Sequence, residues 1–218
     1  MDRMEYMFRF IFMPNQNSLD YEKASSVIRE KLEIFKFVSP STYMPIPIDA
    51  PPEIPRMQML RKDQSVKMTF SKINIDVAIN DSFLSKEKMY DMGQTKKLFL
   101  DISRVFVDSL DLKFNRIAII CSQKKRNDNP EEYIAKKLLS INENFVGINI
   151  NYSTREDLDG KKVNIVKDYS HGFFNSNDEK VIVVNHEVNN EPENRDMEIS
   201  SMEKVYDFAV NKIDRFDF

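Results

Sequence analysis

The chain has 218 residues, 41% hydrophobic and 31% charged, with a formal net charge of -3, which suits one large domain or two small lobes and argues against a disordered chain. Four glycines, two histidines, one cysteine and no tryptophan leave few of the residue types from which recognisable active sites are built, and a slightly acidic chain has no global field to draw it to nucleic acid or anionic lipid. The single cysteine, Cys121, excludes an intramolecular disulfide, a multi-cysteine zinc site and a paired redox motif, and it suggests a reducing, cytoplasmic setting.

The run from Met4 to Met13 alternates, with Tyr6, Phe8, Phe10 and Phe12 on one side and Met7, Ile11 and Met13 on the other. Arg9 interrupts it and no small-residue cleavage site follows, so it reads as a strand near the centre of a sheet and not as a signal peptide. No stretch reaches the roughly 20 apolar residues that a membrane-spanning helix needs, so a soluble protein is expected. After Pro14, the spacing of Ala24, Val27, Ile28, Leu32 and Phe35 predicts an amphipathic helix from Asp20 to Lys36.

Six of the nine prolines then fall between Ser39 and Arg56, so neither a helix nor a central strand can run through that stretch. Tyr43, Met44, Ile46, Ile48 and Ile54 lie among them. An extended, polyproline-like strip has little conformational freedom left to lose, which makes these five side chains the candidate partner-binding residues. Docking of the strip on the chain's own surface is the competing expectation.

Three alternating runs follow: Met57 and Met59; Val66, Met68 and Phe70; Ile73, Ile75, Val77 and Ile79. The parity changes between Phe70 and Ile73, which demands a tight turn or bulge near Ser71-Lys72. From Ser85 to Leu110 the helical period returns in Leu98, Phe99, Ile102, Val105, Phe106 and Leu110, with Gly93 marking a break or late start.

In the second half, Arg116 to Cys121 reads as a buried strand, and Asn129-Pro130-Glu131-Glu132 as the capped start of a helix reaching Ile141. Strands are predicted through Phe145, Ile148, Ile150 and Tyr152, from Lys162 to Tyr169, and from Glu179 to Val188, with Asp159-Gly160 and Asn175 to Asp178 as connectors. A last helix carries Ile199, Met202, Tyr206, Ala209, Ile213 and Phe216 on one face. The expected fold is α+β, a largely antiparallel sheet or sheets packed by long amphipathic helices. The order strand, helix, three strands, helix recurs, which suggests two β-α-β-β-β-α lobes in pseudo-duplication: 1–110, with the proline-rich insertion at 39–56, and 111–218. A single domain over 1–218 is the alternative.

Motifs that would mark an active site are scarce. The isolated glycines build no phosphate-cradling loop. Pairing the last two strands through a turn near Ser176-Asn177 sets His186 opposite Lys167 and His171 opposite Ile182, about 13 Å apart and too far for one metal ion. Ser170 and His171 are strand neighbours and point to opposite faces, and Cys121 sits in an apolar strand where a thiol packs. No catalytic residue, metal or cofactor is therefore expected, and an enzyme with an unmarked site near His171 or His186 is the second alternative. Lys124-Lys125-Arg126, read as a loop before the capped helix, is the candidate nucleic-acid-binding run and carries the first alternative, although Asp128, Glu131 and Glu132 dilute its field. The leading expectation is a non-catalytic cytoplasmic binding or accessory protein that acts through protein–protein contacts, self-association included. Low glycine with abundant lysine, asparagine and isoleucine is compatible with an AT-rich bacterial or phage genome, and from that follows the expectation of a defence or immunity role.

Overall fold

Alternating large apolar side chains need a cover on only one side, and that requirement organises the molecule. The structure is a computed structural model describing residues 4–15, 19–47, 49–87, 92–141, 145, 147–174, 179–192 and 196–213. Nine strands form one antiparallel sheet: β1 (Met4–Pro14), β2 (Thr42–Tyr43), β3 (Met57–Leu60), β4 (Val66–Phe70), β5 (Ile75–Asn80), β6 (Phe114–Arg126), β7 (Ile150–Leu158), β8 (Lys161–Phe174) and β9 (Glu179–Asn190). Their spatial order is β2-β3-β4-β5-β1-β6-β9-β8-β7. As its composition predicts, β1 is central, paired with β5 on one side and β6 on the other.

Among the described residues five helices accompany the sheet: α1 (Tyr21–Lys31), α2 (Asp81–Lys86), α3 (Met92–Arg104), α4 (Pro130–Ile134) and α5 (Ile199–Lys212). The Asp20 carboxylate caps α1 by accepting the Lys23 N–H at 3.0 Å. A single 3-10 turn, Glu33–Phe35, then ends in Lys36 with φ 47, so the predicted 20–36 helix stops short of its last turn. Both α3 and α4 run on into five-residue π-type turns, Val105–Ser109 and Ala135–Leu139. Asn129 stands at the predicted start of α4, but its side chain makes no capping bond. Among the described residues no helix is long and apolar enough to cross a membrane.

The helices sit on one face of the sheet. Phe8, Phe10 and Phe12 of β1, Val77 of β5, Met68 of β4, Ile117 and Ile119 of β6, Ile165 of β8 and Val188 of β9 join Ile28, Phe99, Ile102, Phe106, Met202 and Tyr206 in one buried cluster. It draws on side chains from both halves of the chain. Phe12 is its centre, stacked on Phe99 at 5.7 Å and meeting Phe106 edge-on at 5.0 Å and Phe114 at 5.4 Å. Phe99 stacks in turn on Tyr206, whose hydroxyl lies 2.7 Å from Thr95 Oγ1, so β1, α3 and α5 are tied through aromatic rings. Smaller clusters under α4 bring Tyr133 against Ile148, Tyr169 and Val184. On the other face Met7, Arg9, Ile11, Ile120, Val166 and Glu187 are half-buried.

Several boundaries differ from the sequence reading. The parity change is a turn in which Ser71 Oγ accepts the N–H groups of Ile73 and Asn74, as the pattern demands. The helix expected from Ser85 to Leu110 is two helices, α2 and α3, with residues 88–91 outside the described ones. The strand expected through Phe145 to Tyr152 begins only at Ile150, because Phe145 and Ile148 pack under α4 instead. The connectors at 142–144 and 175–178 and the expected core residue Phe216 lie outside the described residues.

Replacing Phe12 with alanine removes the ring shared by β1, α3 and the turn after it. The unfolding free energy is expected to fall by about 3–5 kcal/mol in urea titrations, whereas Ile73→Ala, on an exposed turn, shifts it by less than about 0.5 kcal/mol.

Candidate functional site

A sheet edge exposes unpaired backbone donors and acceptors, so the two edges of this one are natural places for contacts. At the β3 edge the chain covers itself. Tyr43 of β2 pairs with Met57, and the Met44 N–H donates to the Arg56 carbonyl at 2.9 Å. Beyond that point the prolines bring no N–H groups, and their neighbours' carbonyls need donors from elsewhere. Arg56 supplies them. Its buried guanidinium donates to the carbonyls of Ile46 at 3.2 Å, Pro47 at 3.0 Å and Ala50 at 3.2 Å. The stretch is also tied to α1, where Ser25 Oγ lies 3.1 Å from the Tyr43 hydroxyl and Arg29 donates to Ser41 Oγ at 2.6 Å. Of the five expected partner-binding residues, Tyr43 and Ile54 are exposed at 45% and 36%, Met44 and Ile46 are half-buried, and Ile48 lies outside the described residues.

The opposite edge is β7. It pairs with β8 without interruption from Ile150↔Tyr169 to Leu158↔Lys161 and, among the described residues, has no strand on its other side. An Asp159-Gly160 turn joins the two strands, with φ of 53 and 80, the left-handed pair of a tight hairpin. Residues Asn151 to Arg155 are exposed, and the Tyr152 ring stacks on Tyr169 at 6.3 Å. Natural edges are blunted with charged side chains, proline or bulges; β7 contains no proline and no bulge, and its charges are Arg155, Glu156 and Asp157. Its charged side chains are drawn back onto the chain. Arg155 holds Glu191 at 2.8 Å and Asn164 at 2.9 Å, both Glu156 oxygens accept from Lys212 at 2.7 Å, and Asp157 accepts the Gly160 N–H at 2.8 Å. The backbone of β7 is what faces outward.

His186 faces Lys167 and His171 faces Ile182, the register deduced from sequence. Cys121 is the cross-strand neighbour of His186, a proximity that the sequence does not reveal because β6 and β9 are far apart along it. Both are buried, and burial pushes the Cys121 thiol up to about 12 despite a bond from Gln123, so the pair is a packed thiol beside a ring and not a thiolate–imidazole couple. Among the described residues no group of His, Cys, Asp and Glu is arranged to hold a metal ion.

Lys124, Lys125 and Arg126 do not form the loop expected of them. They are the end of β6, because β9 continues to pair through Arg126. Alternation puts Lys125 on the face opposite to Lys124 and Arg126, and Arg126 lies 3.9 Å from Asp128 and 3.8 Å from Glu179. The open face of the sheet likewise interleaves charges. Arg9 binds Asp76, which raises the guanidinium pKa against the opposing effect of burial, and Asn189 links Arg116 at 2.8 Å to Glu187 at 2.7 Å. A groove of about 810 Å³ between the end of α1 and α3 has Leu32, Ile34, Leu98 and Val105 in its lining and a rim of mixed charge.

No model of a known protein family matches the sequence, and no curated protein matches it either.

Two outcomes follow from this geometry. Arg56→Met leaves three carbonyls without their donor, so residues 44–50 should exchange their amide hydrogens faster and become open to protease, with a stability loss of about 1.5–3 kcal/mol. The Cys121 thiol should not react with a thiol reagent until the chain unfolds. Its pKa is raised on folding, so its contribution is fully present below the ordinary value of 9.0 and is lost as pH climbs towards about 12. Over that window the stability difference between the natural chain and Cys121→Ala should narrow.

Proposed function

We propose that this chain is a non-catalytic binding protein that engages a protein partner by strand addition at β7. The observation that carries the reading is a regular nine-residue edge strand, Ile150–Leu158, with its charged side chains paired within the chain and no strand on its outer side among the described residues. Main-chain hydrogen bonding gives such an edge affinity, and exposed side chains such as Tyr152 give it selectivity.

The strand order supports a pseudo-duplication, with β-α-β-β-β-α halves at 1–110 and 111–218 meeting at β1 and β6 and sharing one core. Outward from that junction, β5, β4 and β3 on one side correspond to β9, β8 and β7 on the other. In this correspondence β3 and β7 are equivalent edges. The first carries its own cover, the strip from Ser39 to Arg56, and the second leaves the equivalent place for a partner. The strip is then a built-in edge cap and not the partner-binding surface. A cytoplasmic location fits the single thiol, which has no disulfide partner within the chain.

The reading is tested by placing a photo-crosslinking amino acid at Thr154 or at Tyr43. Adducts with a partner are expected from Thr154 and not from Tyr43; adducts from Tyr43 alone would return the binding role to the strip.

A further inference from the structure

We infer that the strand added at β7 is the β7 of a second copy of this chain, paired antiparallel about a two-fold axis through Thr154. This rests on the strand-addition reading above and names its partner.

Directly opposed residues in an antiparallel pair put their side chains on the same face, so continuing the sheet with the helices of both copies on one side requires even positions to meet even positions. Only one register of that kind pairs all nine residues of Ile150–Leu158, and it is centred on Thr154. It sets Thr154 opposite itself, Ser153 opposite Arg155, Tyr152 opposite Glu156, Asn151 opposite Asp157 and Ile150 opposite Leu158. No two like charges face each other. The terminal pairs are apolar with apolar, and the inner ones match a hydroxyl or amide to a charged group.

The charges that would resist self-pairing are already satisfied. The nearest like-charge approach is the diagonal one between the two Arg155 side chains, and each is held by its own Glu191 at 2.8 Å. Glu156 is neutralised by Lys212 and Asp157 lies 3.4 Å from the Lys162 ammonium. A nine-residue pairing adds about eight to ten backbone hydrogen bonds. Because the contact is mainly an edge, smaller than the roughly 800 Å² per partner of a standard stable interface, the dimer forms in a concentration-dependent way. The two open faces join into one continuous surface.

The experiment uses the full chain. Light scattering over a dilution series should show a monomer–dimer equilibrium. Thr154→Cys should form a covalent dimer on mild oxidation, since residues opposed in an antiparallel ladder have Cα atoms about 4.5–5.5 Å apart, within disulfide reach. Tyr152→Cys should not, because its twin lies four residues along, at about 13 Å. Thr154→Lys sets two ammonium groups face to face and should weaken dimerisation severalfold while leaving the thermal unfolding profile of the dilute, monomeric chain unchanged, lysine being an ordinary edge residue. A natural chain that stays monomeric at every concentration, or a Thr154→Cys variant that crosslinks no faster than Tyr152→Cys, would overturn the proposal. A labelled peptide of residues 150–158 separates the two levels. If it binds a chain that remains monomeric, the edge accepts strands but not a second copy; if neither peptide binding nor dimer is seen, the strand-addition reading falls as well.

Discussion

The backbone groups along the outer side of β3 are met inside the chain, by the two residues of β2 and by the proline strip that Arg56 holds in place, whereas the outer side of β7 is paired with no other strand among the described residues. A sheet must end somewhere, and an unpaired edge either stays in water or takes a strand from elsewhere. The rest of the molecule can be understood from that asymmetry. Prolines suit a terminating strip because they add no donors that could continue a ladder. Arg56 suits its anchor because one rigid fork satisfies three carbonyls that no regular structure would reach.

A sheet of this width needs a stiff middle, and the aromatic side chains of β1 supply it. Phe12 lies against Phe99, Phe106 and Phe114, so the central strand, the helix α3 and the start of β6 are fixed against one another before either edge is considered. All the described helices lie on that face. The uncovered face is left to half-buried methionine, isoleucine and valine among compensated charges such as Arg9 with Asp76. Ion pairs of this kind offset part of the positive charge on that face.

What could be read in the sequence follows how strongly each element is buried. β1 has large residues at every second position and could be placed in the centre; α1 has a capping aspartate and a helical apolar period; the turn at Ser71 announces itself as a change of parity. The register of β8 on β9, and with it the separation of His171 from His186, follows from counting residues away from one turn. β7 was half lost for the opposite reason. Asn151 to Asp157 bury almost nothing, so they carry no alternation, and the nearby apolar residues Phe145 and Ile148 drew the prediction towards residues that belong under α4. The Asp159-Gly160 connector, taken as a two-residue hairpin turn, requires the strand before it to run on to Leu158. Lys124 to Arg126 misled in a similar way, since three charges at the end of a long strand resemble a loop until the pairing partner, β9, is known.

The proximity of Cys121 to His186 shows why neighbouring reactive residue types do not by themselves make a site. A thiol acts as a nucleophile only as thiolate, and the thiolate needs water, a cation or aligned N–H dipoles to support its charge. Cys121 has instead the floor of an aromatic and aliphatic core, and burial raises its pKa to about 12. β7 differs on each count: Asn151 to Arg155 are exposed, and its charged side chains are paired within the chain. Under the strand-addition proposal its role rests on backbone amides and carbonyls, groups suited to the recognition of another strand.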